Sequence, residues 1–289
     1  ITLGNGSNDV LELIARAFLT CSDEVIFSEY AFAVYSIITQ AIGAKAIEVP
    51  AKNWGHDLSA MSDAITSKTK LIFLANPNNP TGTAFDSSAL LRFMDSVPCD
   101  VLVVLDEAYG EYIKDDAFPD GLSLLKTHSN LIVTRTFSKA WGLASMRVGY
   151  AISSPTIADL LNRVRQPFNV NSFALTAAAT ALSDDEYLQR SVDVNQKGLD
   201  QIEKGLTELD LDFIPSKGNF VTFNVYPGDK NDSFTYTGLD VYQKLLEEGV
   251  IVRPLVNYKM PDYLRVSIGL ASENQRFLKS LDVVLKVLV

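Results

Sequence analysis

Cysteine and histidine are nearly missing from this chain: two of each in 289 residues, Cys21, Cys99, His56 and His128. No CxxC and no metal-ligand spacing is present, so neither a zinc site nor a disulfide framework can be read, and no metal is expected. Two isolated thiols suit a reducing compartment, and the expected location is cytoplasmic. Long apolar runs are lacking too. A membrane span needs about 20 uninterrupted apolar residues. The nearest stretch, Tyr30 to Val49, is broken by Gln40, Gly43 and Lys45, and no secretory signal is legible, so no membrane partner is expected. Positive charge is in deficit, with 25 Lys and Arg against 35 Asp and Glu and a net charge of −10. This argues against a nucleic-acid partner but leaves room for a local basic pocket. Internal repeats, low-complexity tracts and a GxxxxGK(S/T) phosphate loop are absent. An initiator methionine is also missing: the sequence opens at Ile1 inside what reads as a strand, and it is expected to be a piece of a longer protein. What remains is 47% hydrophobic and 21% charged residues, the balance of a globular chain with a sizeable core.

Three continuous apolar runs stand out: Leu71 to Ala75, Val101 to Leu105 and Leu131 to Thr134. Runs without alternation are what strands covered on both faces look like in an α/β sheet. Shorter strands are expected at Glu24 to Phe27 and Ala46 to Val49. Helical periodicity predicts helices over Val10 to Leu19, Phe32 to Ile42, Ser87 to Ser96, Ile157 to Val164, Ser172 to Leu182 and a long one over Asp184 to Leu209. Beyond this the pattern changes. Phe213 to Pro215, Phe220 to Val225 and Leu264 to Ile268 alternate like half-exposed strands, and Gly238 to Glu248 and Ser272 to Val287 read as helices. Pro227 to Gly238 reads as a solvated loop. The expected fold is α/β: a large domain over residues 1–190 with a mostly parallel mixed sheet sandwiched by helices, and a smaller α+β domain over 191–289.

The informative feature is what ends each apolar run. Ligands of open α/β sheets bind beyond the carboxyl ends of the strands. Those ends carry Asn76-Pro77-Asn78-Asn79-Pro80-Thr81-Gly82, then Asp106-Glu107-Ala108-Tyr109, then Thr136-Phe137-Ser138-Lys139. Taken singly, these are a turn, a helix cap or cation ligand, and a surface lysine. Taken in this order they supply what a pyridoxal phosphate enzyme needs. Such an enzyme uses a lysine amine for the aldehyde, a carboxylate for the pyridine nitrogen, donors for the ring hydroxyl, an anion cup at a helix N-terminus and an aromatic cover.

Asn79-Pro80-Thr81-Gly82, Asp106-Glu107-Ala108-Tyr109, and Ser138-Lys139 followed by Arg147 resemble the fold-type I aminotransferases, whose type member is aspartate aminotransferase. Longer phrases are more similar to the histidinol-phosphate aminotransferases: Leu3 to Asp9, Tyr30 to Tyr35, Gly55 to Leu58, Ala75 to Thr83, Arg135 to Gly149, Arg165 to Asn171, Gly218 to Val221 and Leu264 to Gly269. The resemblance runs the length of the chain. It implies pyridoxal 5′-phosphate as cofactor and a homodimer with active sites at the interface. It implies that Lys139 forms a Schiff base and shuttles the substrate proton, that Asp106 pairs with the ring nitrogen, and that Asn79 and Tyr109 donate to the ring hydroxyl. Gly6, Ser7, Asn8, Thr136, Ser138 and Arg147 would hold the phosphate, and Phe32, read as part of an apolar helix, would stack on the ring. Arg265, at the end of a small-domain strand, would hold an anionic substrate group, with Arg253 and Asn219 as further substrate contacts. The substrates implied are small molecules: histidinol phosphate and imidazole acetol phosphate on one side, glutamate and 2-oxoglutarate on the other. The resemblance also implies an N-terminal segment over the site, with a tyrosine reaching the neighbouring subunit's phosphate; it would precede Ile1, and the longer protein is expected to carry it.

Rival readings keep the cofactor but change the bond broken: an aromatic amino acid aminotransferase or a threonine-phosphate decarboxylase. Gly4-Asn5-Gly6 after a strand suggests a dinucleotide-binding oxidoreductase, but the third glycine is replaced by Asp9 and no acidic residue closes the second strand suitably. A transcription regulator with an aminotransferase-like domain would need a DNA-binding module, and none is legible.

Overall fold

The computed structural model describes residues 1–115, 117–227 and 236–288. Its larger sheet has seven strands: β1 (Thr2–Gly4), β2 (Glu24–Ser28), β3 (Lys45–Val49), β4 (Thr69–Ala75), β5 (Leu102–Asp106), β6 (Leu131–Thr136) and β7 (Gly149–Ser153). Their order is β1-β7-β6-β5-β4-β2-β3. From β3 to β6 every pairing is parallel, while β7 runs antiparallel between β6 and β1.

The apolar runs form strands because both faces are covered. Alternate side chains go to opposite cores. Leu71, Phe73, Val104 and Ile132 join one with α1 (Ser7–Phe18), α2 (Val34–Ile42) and a later helix over Pro155–Val164. Ile72, Leu74, Val103, Leu105, Leu131 and Val133 join the other with α3 (Leu58–Asp63), α4 (Ser87–Ser96) and α5 (Gly121–Leu124). The helix over Pro155–Val164 is α6; α7 (Ser172–Ala181) and α8 (Asp185–Glu208) follow. Helix α8 starts where Asp184 accepts the Tyr187 N–H, an acidic cap that satisfies one of the orphan donors of the first turn.

The smaller sheet holds β8 (Leu211–Ile214), β9 (Phe220–Pro227), β10 (Arg253–Pro254) and β11 (Tyr263–Ser267), ordered β10-β11-β9-β8 and antiparallel throughout. Helices α8, α9 (Gly238–Glu247) and α10 (Ala271–Leu288) cover it around Leu206, Phe223, Leu245 and Leu281. The proposed domain boundary after residue 190 falls inside α8. A separate apolar cluster joins the two sheets' surroundings: Tyr30, Ala33 and Trp54 pack on Ile214, Leu255, Tyr258 and Met260.

Three expectations need correction. Phe32 lies outside α2, which begins at Val34 behind Ala33; no side chain caps this N-terminus, so the sequence carries no marker of the start. The strand expected at Phe213 to Pro215 runs instead over Leu211–Ile214. Arg265 sits in the middle of β11 rather than at its end. The loop expected over Pro227 to Gly238 lies for the most part outside the described residues.

His56 braces the end of β4. Its Nε2–H donates to the Ala75 carbonyl at 2.9 Å, and its Nδ1 is enclosed without a partner. Burial lowers its pKa from 6.5 to about 4. The folded state therefore favours neutral imidazole, so this contribution to stability is complete above pH 6.5 and is lost as the pH falls toward 4. Urea unfolding at pH 7.5 and pH 5 should show wild type losing about 2 kcal/mol more than His56→Gln, which keeps a donor for Ala75 but does not titrate.

Candidate active site

The three polar clusters meet at the carboxyl edge of the parallel strands. In register, Ala75 faces Asp106, Asp106 faces Thr134 and Thr136 faces Gly149. A cavity of about 160 Å³ opens there. Asn79, Asp106, Tyr109, Thr136, Ser138 and Lys139 line it from the strand ends, and Ser7, Asn8, Phe32 and Arg147 close it. These are ten of the eleven residues expected around the cofactor. The eleventh, Gly6, is the N-cap of α1.

Asp106 is buried, and burial pushes its carboxyl above the usual range. Hydrogen bonds oppose that push. The Tyr35 hydroxyl donates to Oδ2 at 2.9 Å and the Thr134 hydroxyl to Oδ1 at 3.1 Å. No ion pair reaches this carboxylate among the described residues. Neighbouring Glu107 is different, because Arg135 takes it up through Nε at 2.9 Å and Nη2 at 2.7 Å. Breaking such a buried pair costs about 3–5 kcal/mol, which marks Glu107 as structural.

Lys139 lies above the Tyr109 ring, with Nζ 5.3 Å from its centroid. Burial lowers its pKa, and the Arg265 and Arg147 cations lower it further against the pull of Asp106. A lysine in such surroundings gives up its proton readily. Burial raises the Tyr109 hydroxyl pKa, so the phenol stays a donor.

The first turn of α1 has no side-chain cap, so its N–H groups face the cavity end without an internal acceptor. Arg147 stands beside it. Its backbone is left-handed (φ 58°), a conformation that costs a non-glycine residue about 1–3 kcal/mol. Its guanidinium is steered by the Ala144 carbonyl at 2.9 Å and the Ser138 hydroxyl at 3.3 Å. Two glycines make room. A Cβ on Gly6 (φ +86°) would come within 2.5 Å of Arg147 Nη2, and one on Gly149 within 2.3 Å of the Ser7 nitrogen.

Arg265 lies outside the cavity lining but reaches it through Asn79. Its Nη1 donates to Asn79 Oδ1, and the guanidinium lies 4.9 Å from the Phe220 ring centroid. That leaves the Asn79 amide donors free to point elsewhere. The same loop is tied to the smaller sheet where the Thr222 hydroxyl donates to the Pro80 carbonyl at 2.5 Å and the Lys217 N–H to the Gly82 carbonyl at 2.8 Å. Arg253 lies directly opposite Arg265 across β10 and β11, hence on the same face of the sheet, and is exposed. Asn219 is not brought to the cavity; it lines a separate groove with Tyr112, whose hydroxyl it engages. His128 is also remote, 3.5 Å from Asp95.

Sequence reasoning missed Tyr35 and Thr134. Tyr35 reads as one more apolar position of a helix, and Thr134 lies within a strand; their bonds to Asp106 exist only in three dimensions.

The donor set suits pyridoxal 5′-phosphate. A buried carboxylate without a cation, an amine with a lowered pKa and a capless helix beside an arginine match a ring nitrogen, an aldehyde and a phosphate in turn. Lys139, Arg147 and Arg265 have no carboxylate ion-pair partner among the described residues.

Residues 1–281 match the family described as aminotransferase class I and II. Histidinol-phosphate aminotransferase 2 of Pseudomonas fluorescens (strain Pf0-1) is 57% identical over 285 residues, 99% of this chain and 75% of the relative. Histidinol-phosphate aminotransferase of Methylobacillus flagellatus is 55% identical over 286 residues, again 99% and 75%. Among solved structures, the histidinol-phosphate aminotransferase of Sinorhizobium meliloti, in complex with pyridoxal-5′-phosphate, superposes with a TM-score of 0.89 at 28% identity, covering 100% of this chain and 77% of that one.

Gly6→Ala should displace the Arg147 guanidinium and force a positive φ on a side chain that disfavours it. Equilibrium dialysis should show affinity for pyridoxal 5′-phosphate falling about tenfold or more, the loss expected when a charge-assisted hydrogen bond to the phosphate is broken.

Proposed function

This chain belongs to the aminotransferase class I and II family, and on that premise we propose that it moves an amino group between histidinol phosphate and 2-oxoglutarate, giving imidazole acetol phosphate and glutamate. The carrying observation is the cavity at the ends of β4, β5 and β6, where Lys139, Asp106 and Asn79 converge beside Arg147. The 57% identity to a histidinol-phosphate aminotransferase supports the choice of substrate.

When bound, pyridoxal 5′-phosphate supplies an aldehyde for amine exchange and a cationic ring that draws electrons from the substrate's Cα. The rest is the work of this chain's residues. The N–H groups of Ser7 and Asn8, the hydroxyls of Thr136 and Ser138 and the Arg147 guanidinium bind the phosphate. Gly6 allows their close approach. Asp106 holds the proton on the ring nitrogen by supplying the opposite charge. Asn79 and Tyr109 donate to the ring hydroxyl, and Phe32 covers one face. Lys139 would hold the cofactor through its amine and would serve as the base and acid that moves the substrate's Cα proton. Arg265 binds the carboxylate of glutamate or the phosphate of the alternative substrate, and Arg253 across the strand adds a second cation for the dianion.

A homodimer is part of this reading. Phe168 is 95% exposed and Phe173 80% exposed, on a segment held in place by Arg165–Asn169 and Asn169–Leu3 hydrogen bonds. Asn171 ties the same segment to the Met146 carbonyl, next to Arg147. A second copy packed here would border the phosphate end of the cavity. Free, exposed Cys21 and Cys99 suit a cytoplasmic enzyme. Among the described residues no helix is long and apolar enough to cross a membrane.

Two experiments test these statements. Loaded wild type should absorb in the visible and lose that band within one turnover on histidinol phosphate, more completely than on phenylalanine or threonine phosphate, and Lys139→Ala should never show it. A colourless wild type overturns the cofactor assignment, and fuller bleaching by phenylalanine, or release of carbon dioxide from threonine phosphate, overturns the substrate. In sedimentation, wild type should run as a dimer and Phe168→Asp/Phe173→Asp as a monomer.

A further inference from the structure

Tyr35 takes no part in the roles assigned above, yet it connects three of the site's fixed points. It is fully buried on α2, 71 residues from Asp106 in sequence, and its hydroxyl donates to Asp106 Oδ2 at 2.9 Å. Its ring lies flat on Phe73 of β4, with centroids 4.5 Å apart and planes 2° from parallel. Its other contact is edge-on to Phe32, at 5.9 Å and 89°. Thr39 anchors its backbone carbonyl at 2.7 Å.

We propose that Tyr35 is a positioning residue for the cofactor ring: its hydroxyl holds the Asp106 carboxylate in one orientation, and its perpendicular contact with Phe32 sets the plane of that ring. The inference rests on the pyridoxal phosphate reading of the cavity. A carboxylate at the end of a strand can rotate about its own bonds. Two hydroxyl donors, Tyr35 on Oδ2 and Thr134 on Oδ1, remove that freedom together with the Ala108 backbone N–H, and still leave acceptor capacity for a partner in the cavity. They also favour the ionised form that burial opposes. The Tyr35 hydroxyl itself is held strongly protonated by burial and by the Asp106 charge, so it donates at every working pH. Because the Phe73 stack fixes the tyrosine ring, the same side chain carries the sheet's geometry to both the nitrogen partner and the aromatic cover of the ring.

The test uses pyridoxamine 5′-phosphate, which has no aldehyde for Lys139, and its 1-deaza analogue, which has no ring nitrogen. Tyr35→Phe keeps the Phe73 stack and removes the hydroxyl. Equilibrium dialysis should show it binding pyridoxamine phosphate about tenfold more weakly than wild type, the loss of a hydrogen bond to a charged group, and the 1-deaza analogue within about twofold. Unchanged affinity for pyridoxamine phosphate overturns the proposal, and so does an equal loss for both ligands, which would assign Tyr35 to packing. If Tyr35→Phe does not fold, 3-fluorotyrosine at position 35, a stronger donor of the same shape, should tighten pyridoxamine phosphate and leave the analogue unchanged; no tightening overturns the proposal. A wild type that binds neither ligand removes the reading of the cavity and this inference with it, whereas a binding wild type with an unaffected variant removes the inference alone.

Discussion

A carboxylate buried at the end of a parallel strand, hydrogen-bonded but without a cation, is the constraint on which this molecule turns. The ionised form of Asp106 is favoured there by donors on neighbouring elements, with the Ala108 backbone N–H and the Lys139 charge in support. Tyr35 on α2 and Thr134 on β6 supply the donors. Their placement requires α2 to lie on the face of the sheet that holds Phe73, and that packing in turn defines one of the two cores. Site and fold are thus coupled through one side chain.

The parallel part of the sheet concentrates chemistry at one edge, since β4, β5 and β6 all end on the same side. The antiparallel strands β7 and β1 complete it by bringing the first turn of α1 against Gly149, where a backbone without a side chain lets the two approach. One end of the cavity therefore carries the anion cup and the middle carries Asp106 and Lys139. The side facing the smaller sheet carries Asn79 in the grip of Arg265. Three cations collected in a chain of net charge −10 reconcile its acidic composition with a preference for anionic ligands.

Much of this was legible in the sequence. Unbroken apolar runs mark strands covered on both faces, and polar clusters after three successive runs mark the functional edge, because each alone could be a turn or a cap but their order fits one site. What stayed hidden is what depends on pairing. Strand β7 gives no local sign that it runs antiparallel. Helix α2 begins without a capping side chain, so Phe32 could not be separated from it. Tyr35 looks like any apolar helical position until its hydroxyl is seen beside Asp106. Asn219, attractive in sequence next to a glycine, lies just before β9 and engages Tyr112 in a separate groove.

The register of β10 and β11 sets Arg253 and Arg265 opposite one another. Like charges in directly opposed positions weaken a strand pair. The smaller sheet carries two cationic side chains on one face at this register, one of them already turned to Asn79, and an anion bound beside Arg265 would have a second positive residue across the strand pair. A ligand that binds only the folded chain stabilises it in proportion to its affinity, so the unfolding temperature would register how well an anion's charge fits there.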